Sequence, residues 1–259
     1  MRILFLGDIV GRTGRHALAR LLPSLAEEFR SDAVVANGEN AAGGFGLTAK
    51  VIQELAGLGV HAITTGNHVW DKREARAMLE GEYPLMRPHN YPPGNPGSGL
   101  RRLPISGGRV LWVFNIQGRV LMPPVDCPFR CADDVLPGLP PSEPCILVDF
   151  HAEATSEKRA MGWYLDGRVS AVVGTHTHVP TADEEVLPGG TGYLTDAGMT
   201  GGYASVIGME VQDSLDRMLL GTPRLLNVAE GDPAVSGVLL DLDDKTGRCS
   251  RVERVFRKG

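Results

Sequence analysis

Residues 33–68 read AVVANGENAAGGFGLTAKVIQELAGLGVHAITTGNH, and the fold is decided by this stretch. Ala33 to Ala36 is a short apolar run that ends at Asn37-Gly38-Glu39-Asn40. Thr48 to Leu58 carries helical spacing, with Gly59 as its stop. Val60 to Thr64 is a second apolar run, ending at Gly66-Asn67-His68. Strand, helix and strand in this order form the crossover unit of a parallel sheet, and both polar clusters fall just after a strand.

The pattern extends in both directions. Upstream, Arg2 to Leu6 predicts a strand that feeds Gly7-Asp8. Thr13 to Phe29 repeats apolar residues at Leu18, Leu21, Leu22, Leu25 and Phe29, which predicts a helix with Thr13 as its cap. Downstream, Asp71 is expected to cap a helix through Leu79, and Tyr83 to Gly108 reads as a long Pro-, Gly- and Asn-rich loop. Arg109 to Gln117 predicts a strand. Val120 to Pro144 reads as irregular, with a short helix near Ala132 to Leu136. Cys145 to Phe150 is a strand ending at His151, Ser156 to Leu165 a helix, and Val169 to Val173 a strand ending at Gly174-Thr175-His176-Thr177-His178. Beyond it, Glu184 to Leu187, Thr191 to Thr195, Val238 to Leu242 and Arg251 to Phe256 predict strands of a mixed or antiparallel second sheet, interrupted by a helix over Val211 to Leu220. With no repeat and no linker, one domain over residues 1–259 is expected.

Composition narrows the classes of function. The formal net charge is −5, so the chain carries no field for non-specific nucleic-acid binding, and no stable nucleic-acid complex is expected. Cys127, Cys131, Cys145 and Cys249 form no CxxC pair and read as reduced thiols. No apolar run reaches the length of a membrane span, and Asp8 interrupts the N-terminal run before it could serve as a signal segment. The expectation is a cytoplasmic protein without membrane association.

The chemistry lies at the strand ends. In open α/β sheets, ligands bind outside the carboxyl ends of the strands. Asp8, Glu39-Asn40, Asn67-His68, His151 and His176-Thr-His178 all occupy such positions. Of seven histidines, four fall in these clusters and His16, His61 and His89 do not. Two histidines two residues apart face one side if the chain is extended, and neutral imidazole is a good donor to borderline metals. Taken singly, each cluster also reads as turn or capping chemistry. Five strand ends that all carry metal-competent groups do not follow from turn chemistry. The glycines of GDIVGRTG have the wrong spacing for a dinucleotide loop, and Asp8 would repel a pyrophosphate. Arg12 and Arg15 lie near the first loop, where a phosphate contact competes with the plainer reading of solvated helix-start arginines.

The ordered blocks GDIV, NGEN, GNHVWD, FHAE and GTHTH resemble the calcineurin-like metallophosphoesterase superfamily. Val10 stands where the first block of that pattern has His, Glu39 where the second has Asp, and Thr175 where the last has Gly. These departures, NGENAAGGFG and GTGYLTDAGMTGG at 190–202 resemble the YmdB-like bacterial phosphodiesterases almost end to end. The resemblance implies a two-sheet α/β/β/α sandwich and two divalent or mixed-valence metal ions, Fe or Mn first and Zn also compatible. It implies that Glu39 bridges both ions, that Asp8, Asn40 and His178 complete one, and that Asn67, His151 and His176 complete the other. His68 is then a catalytic group that binds no metal and faces the phosphate. The implied reaction is hydrolysis of a small-molecule phosphodiester, 2′,3′-cyclic or 3′,5′-cyclic nucleotides in particular, by a hydroxide held between the metals. Phosphomonoester hydrolysis at the same site, and a regulatory metal- or nucleotide-binding role through partners, are the alternatives. A homo-oligomer is compatible with a bacterial enzyme of this size. The loops at Tyr91 to Gly99 and Leu121 to Pro128 are candidate pocket walls.

Overall fold

The apolar run Arg2–Leu6 forms strand β1, and its side chains alternate between two cores. Leu4 and Leu6 face the helices, whereas Ile3 and Phe5 face a second sheet. A strand buried on both faces reads as a continuous apolar run, which is why the period-2 signal is absent from the sequence. The computed structural model describes all residues from Met1 to Gly259.

In chain order, β1 is followed by β2 (Asp8–Ile9), α1 (Gly11–Phe29), β3 (Ala33–Asn37), α2 (Ala49–Gly57), β4 (Ala62–Thr64) and α3 (Arg73–Leu79). Next come β5 (Leu100–Ile105), β6 (Arg109–Gln117), α4 (Pro128–Val135), β7 (Ile146–His151), α5 (Thr155–Leu165) and β8 (Ala171–Thr175). The chain closes with β9 (Glu185–Val186), β10 (Gly192–Leu194), β11 (Met199–Gly202), α6 (Val211–Leu220), β12 (Pro233–Leu242) and β13 (Cys249–Lys258).

The first sheet runs β2-β11-β12-β1-β3-β4, with β13 also paired to β12. β1, β3 and β4 are parallel, as the crossover pattern requires, and β12 joins β1 antiparallel with Leu4 opposite Leu239. The second sheet runs β5-β6-β7-β8-β10-β9, parallel from β6 through β10 with antiparallel edges. Helices α1, α2 and α3 cover the first sheet, and α4 and α5 cover the second. A third apolar layer fills the space between the sheets. This is the two-sheet α/β/β/α sandwich.

Several local expectations change. Val238 to Leu242 and Arg251 to Phe256 lie within longer strands of the first sheet, because β12 is buried on both faces between β1 and its other neighbours. The second sheet is built from the middle of the chain instead. Leu100–Ile105, read as loop, is an edge strand whose Pro104 tolerates the missing N–H. The helix near Ala132 begins earlier, with Pro128 in its first turn. Thr48 caps α2, its Oγ1 accepting the Val51 N–H at 3.4 Å. Thr13 and Asp71 cap nothing: Thr13 Oγ1 donates to Ala229 O, and Asp71 is engaged by His68.

Candidate metal centre

The parallel strands of both sheets deliver their polar residues to one rim. Asp8 follows β1, Glu39 and Asn40 follow β3, and Asn67 and His68 follow β4. His151 ends β7, while His176 and His178 follow β8. The two sheets meet closely here. A Cβ at Gly66 would lie 1.9 Å from His151 Cδ2, so only glycine lets the Asn67 turn pass the imidazole.

Four electron-rich atoms converge. His151 Nε2 lies 3.0 Å from Glu39 Oε1, 3.2 Å from Asn67 Oδ1 and 3.1 Å from His176 Nδ1. A second group adjoins it: Asp8 Oδ1 is 3.7 Å from His178 Nε2 and 4.0 Å from His151 Nδ1. Asn40 is buried, its amide N–H donating to Gly44 O and its backbone carbonyl accepting from Gly11 N. Glu39 Oε2 accepts the His68 backbone N–H at 3.0 Å. His68 pairs with Asp71 instead, its Nδ1 2.8 Å from Oδ2.

The partners of the remaining ring nitrogens fix which lone pairs face inward. His176 Nε2 meets Glu153 Oε2 at 3.0 Å, so Nε2 carries the proton and Nδ1 is the donor atom. His178 Nδ1 donates to Ile207 O at 2.8 Å, which frees Nε2. His151 Nδ1 donates to Thr175 Oγ1 at 2.9 Å, and that hydroxyl donates to Asp149 Oδ1 at 2.7 Å. Asn37 Nδ2 braces Asp149 Oδ2 at 3.3 Å. His176 and His178 do not lie on an extended segment. Both are left-handed, at φ 100° and 65°, and the turn sends one ring to His151 and the other to Asp8.

Charge explains why such a cluster needs a cation. Burial alone would raise Glu39, but His151 and His68 outweigh it and hold the carboxyl at about 2. Burial likewise opposes a charged His151, yet Glu39, Asp8 and Asp149 push it up to about 9. Burial and the charge of His151 drive His176 down to about 3, and burial raises Asp8. Lone pairs at these distances are stable only around a positive centre, a proton or a metal ion. Glu39, His151 and His176 present ligand atoms within 4.8 Å of one another. Two further buried oxygens, Asp8 Oδ1 and Asn40 Oδ1, have no hydrogen-bond partner, although buried polar atoms are otherwise paired. An all-O/N donor set with unpartnered oxygens fits a hard or borderline divalent metal.

The supporting residues were not legible as such. Asn37, Asp149, Glu153 and Thr175 each adjoin a predicted cluster, and adjacency was the only available signal. Asp196 lies in the quoted GTGYLTDAGMTGG segment. Its Oδ2 accepts from Lys158 Nζ at 2.6 Å and from the Thr177 amide and hydroxyl, while Lys158 also donates to Thr175 O. Arg15 is occupied by Glu54 and Ala41 O, and Arg12 is exposed beside Glu230.

A family model described as "YmdB-like protein" matches residues 4–255. The chain is 47% identical over 256 residues to the 2′,3′-cyclic-nucleotide 2′-phosphodiesterase of Bacillus subtilis (strain 168), a match covering 99% of this chain and 97% of that one. A hypothetical protein from Thermus thermophilus superposes with a TM-score of 0.94 at 45% identity, covering 100% and 99% of the two chains. A phosphatase from Mycoplasma pneumoniae gives 0.93 at 32% identity, covering 100% and 93%. The metallophosphoesterase type implies divalent metal ions at a cluster such as this. Motif order, fold and likeness along the whole chain agree, and the chain belongs to the YmdB-like protein family.

Proposed function

We propose that the chain is a metal-dependent phosphodiesterase acting on small cyclic nucleotides, 2′,3′-cyclic or 3′,5′-cyclic. In this reading Asp8, Asn40 and His178 would hold one ion, Asn67, His151 and His176 would hold a second, and Glu39 would serve both. The carrying observation is the convergence of Glu39, Asn67 and His176 on His151 Nε2, with the opposite nitrogens of His151 and His176 committed elsewhere. Oxygen and nitrogen donors without thiolate favour Mn or Fe, with Zn compatible. Bound divalent ions supply Lewis acidity toward phosphoryl oxygens and lower the pKa of water.

The protein's own groups do the rest. Asp71 holds His68 Nδ1–H, which orients the ring and leaves Nε2 free to meet the substrate. In the imidazolium form, Nε2–H donates to a phosphoryl oxygen as charge builds there, or gives its proton to the departing alkoxide. The backbone N–H of His68 is tied to Glu39, so the acid and the ligand set move together. Four free cysteines support a reducing, cytoplasmic setting. The test is to purify the protein, quantify bound metal, and compare a 2′,3′-cyclic nucleotide with its 3′-monoester in added Mn. Release of the monoester without further release of phosphate is expected. Hydrolysis of monoesters alone would overturn the assignment.

A further inference from the structure

A cavity of about 530 Å³, within the size range of small-molecule sites, opens beside Tyr91. Tyr91 forms its wall. The Tyr91 ring meets Trp70 edge to face at 5.5 Å, and Trp70 sits in the short turn that pairs His68 with Asp71. The Tyr91 hydroxyl donates to Gln117 Oε1 at 3.3 Å. Gln117 is the register partner of His151, and Gly118 N donates to His151 O. Tyr91 therefore links the cavity to the turn that carries His68 and to the strand end beside His151.

The lining carries polar groups of both signs. Arg87 is buried with no carboxylate partner, its guanidinium reaching only carbonyls of Pro88, His89, Asn95 and Pro96. His89 Nδ1 is buried without any hydrogen-bond partner. Arg130 and Asp126 are exposed, and neither side chain makes an intramolecular ion pair. Asp134 also lines the cavity, so carboxylates stand beside guanidinium groups and the lining has no net charge that would hold a phosphate. A neutral planar ring fits instead, with an apolar face for Tyr91 and an edge bearing both donors and acceptors.

We propose that this cavity is the nucleobase subsite of the enzyme. It rests on the phosphodiesterase reading above. With the diester at the metal centre, the base stacks on Tyr91, and its edge meets the exposed Arg130 and Asp126. Base stacking on an aromatic side chain is typically worth about 1–3 kcal/mol, which corresponds to roughly 5- to 150-fold in affinity.

The test uses the full-length Mn-loaded protein and two cyclic diesters, 2′,3′-cyclic AMP and glycerol 1,2-cyclic phosphate, which lacks a base. The readout is the ratio of their kcat/KM values. Tyr91→Ala, Arg130→Gln and Asp126→Asn are each expected to lower that ratio, Tyr91→Ala by about tenfold or more, with the change carried by KM for the nucleotide. The last two sites are exposed, so these variants report even if Tyr91→Ala fails to fold. Adenosine should inhibit the wild type competitively against the nucleotide, and Arg130→Gln should weaken that inhibition. If the wild type hydrolyses both diesters and no variant moves the ratio, the subsite is wrong and the phosphodiesterase reading stands. If the wild type hydrolyses neither, both fall.

Discussion

His68 and His151 are both imidazoles at the same rim, and their surroundings differ. His151 is fully buried with Nε2 facing three donor atoms. His68 is part-exposed, turned toward Asp71, and linked to the ligands only through its backbone N–H. His68→Ala is therefore expected to retain bound metal and lose about 10²- to 10⁴-fold in kcat. Loss of metal in that variant, read by elemental analysis, would move His68 into the ligand set. The charge on His151 sets a pH dependence. Its pKa is raised from the ordinary value of 6.5 to about 9, so its stabilising charge is complete below about 6.5 and is lost as pH rises through about 9. Asp8, also raised, acts in the same sense. His176, lowered to about 3, acts only below 6.5, and Asp149, at about 6, has titrated before this window opens. Chelator-treated protein should lose Tm between pH 6.5 and 9, and metal-loaded protein should lose less, because an ion takes over the proton's place. A chelated sample whose Tm is flat over that interval would contradict the pairing of His151 with Glu39.

At the scale of elements, the segment after β8 bears the most strain. His176 and His178 are both left-handed without being glycine, a conformation that persists only when the surroundings hold it. The buried Lys158–Asp196 pair does so, joining α5 and the segment after β10 to Thr175 and Thr177 on either side of His176. Removing one partner of such a pair typically costs about 3–5 kcal/mol. Lys158→Met should show a loss of that size in urea unfolding and bind metal more weakly. A loss under about 1 kcal/mol would show that the clamp is not needed. The elements also show what could be read in advance. β1, β3, β4 and β8 stand out because parallel strands buried on both faces are near-continuous apolar runs, β7 is interrupted only by Asp149, and each ends where its polar cluster begins. β5 did not, because Pro104 and its alternately exposed residues resemble the loop before it. The sheet membership of β12 and β13 is set by long-range pairing with β1, which no local pattern encodes.

For the whole molecule, the proposed ligand residues matter because they come from both sheets. Asp8, Glu39, Asn40 and Asn67 belong to the first, and His151, His176 and His178 to the second. An ion held by both sets would fasten the two halves of the sandwich. Binding to the folded state alone should add about 2.7 kcal/mol at a free metal concentration of 100 times Kd, so Tm should rise with added Mn and fall on chelation. A Tm indifferent to metal would mean that the rim does not bind it. The convergence of these residues was legible because loops after parallel strands meet at one edge. The identity of each proton-bearing nitrogen was not, since it depends on Glu153, Thr175 and Ile207, brought close only by folding. The most direct test of the account is bound metal per chain in the wild type and in Glu39→Ala, measured on the samples assayed against a cyclic nucleotide. Metal and activity are expected in the wild type and loss of both in Glu39→Ala; a Glu39→Ala protein with full metal content and unchanged diesterase activity would overturn Glu39 as a metal ligand.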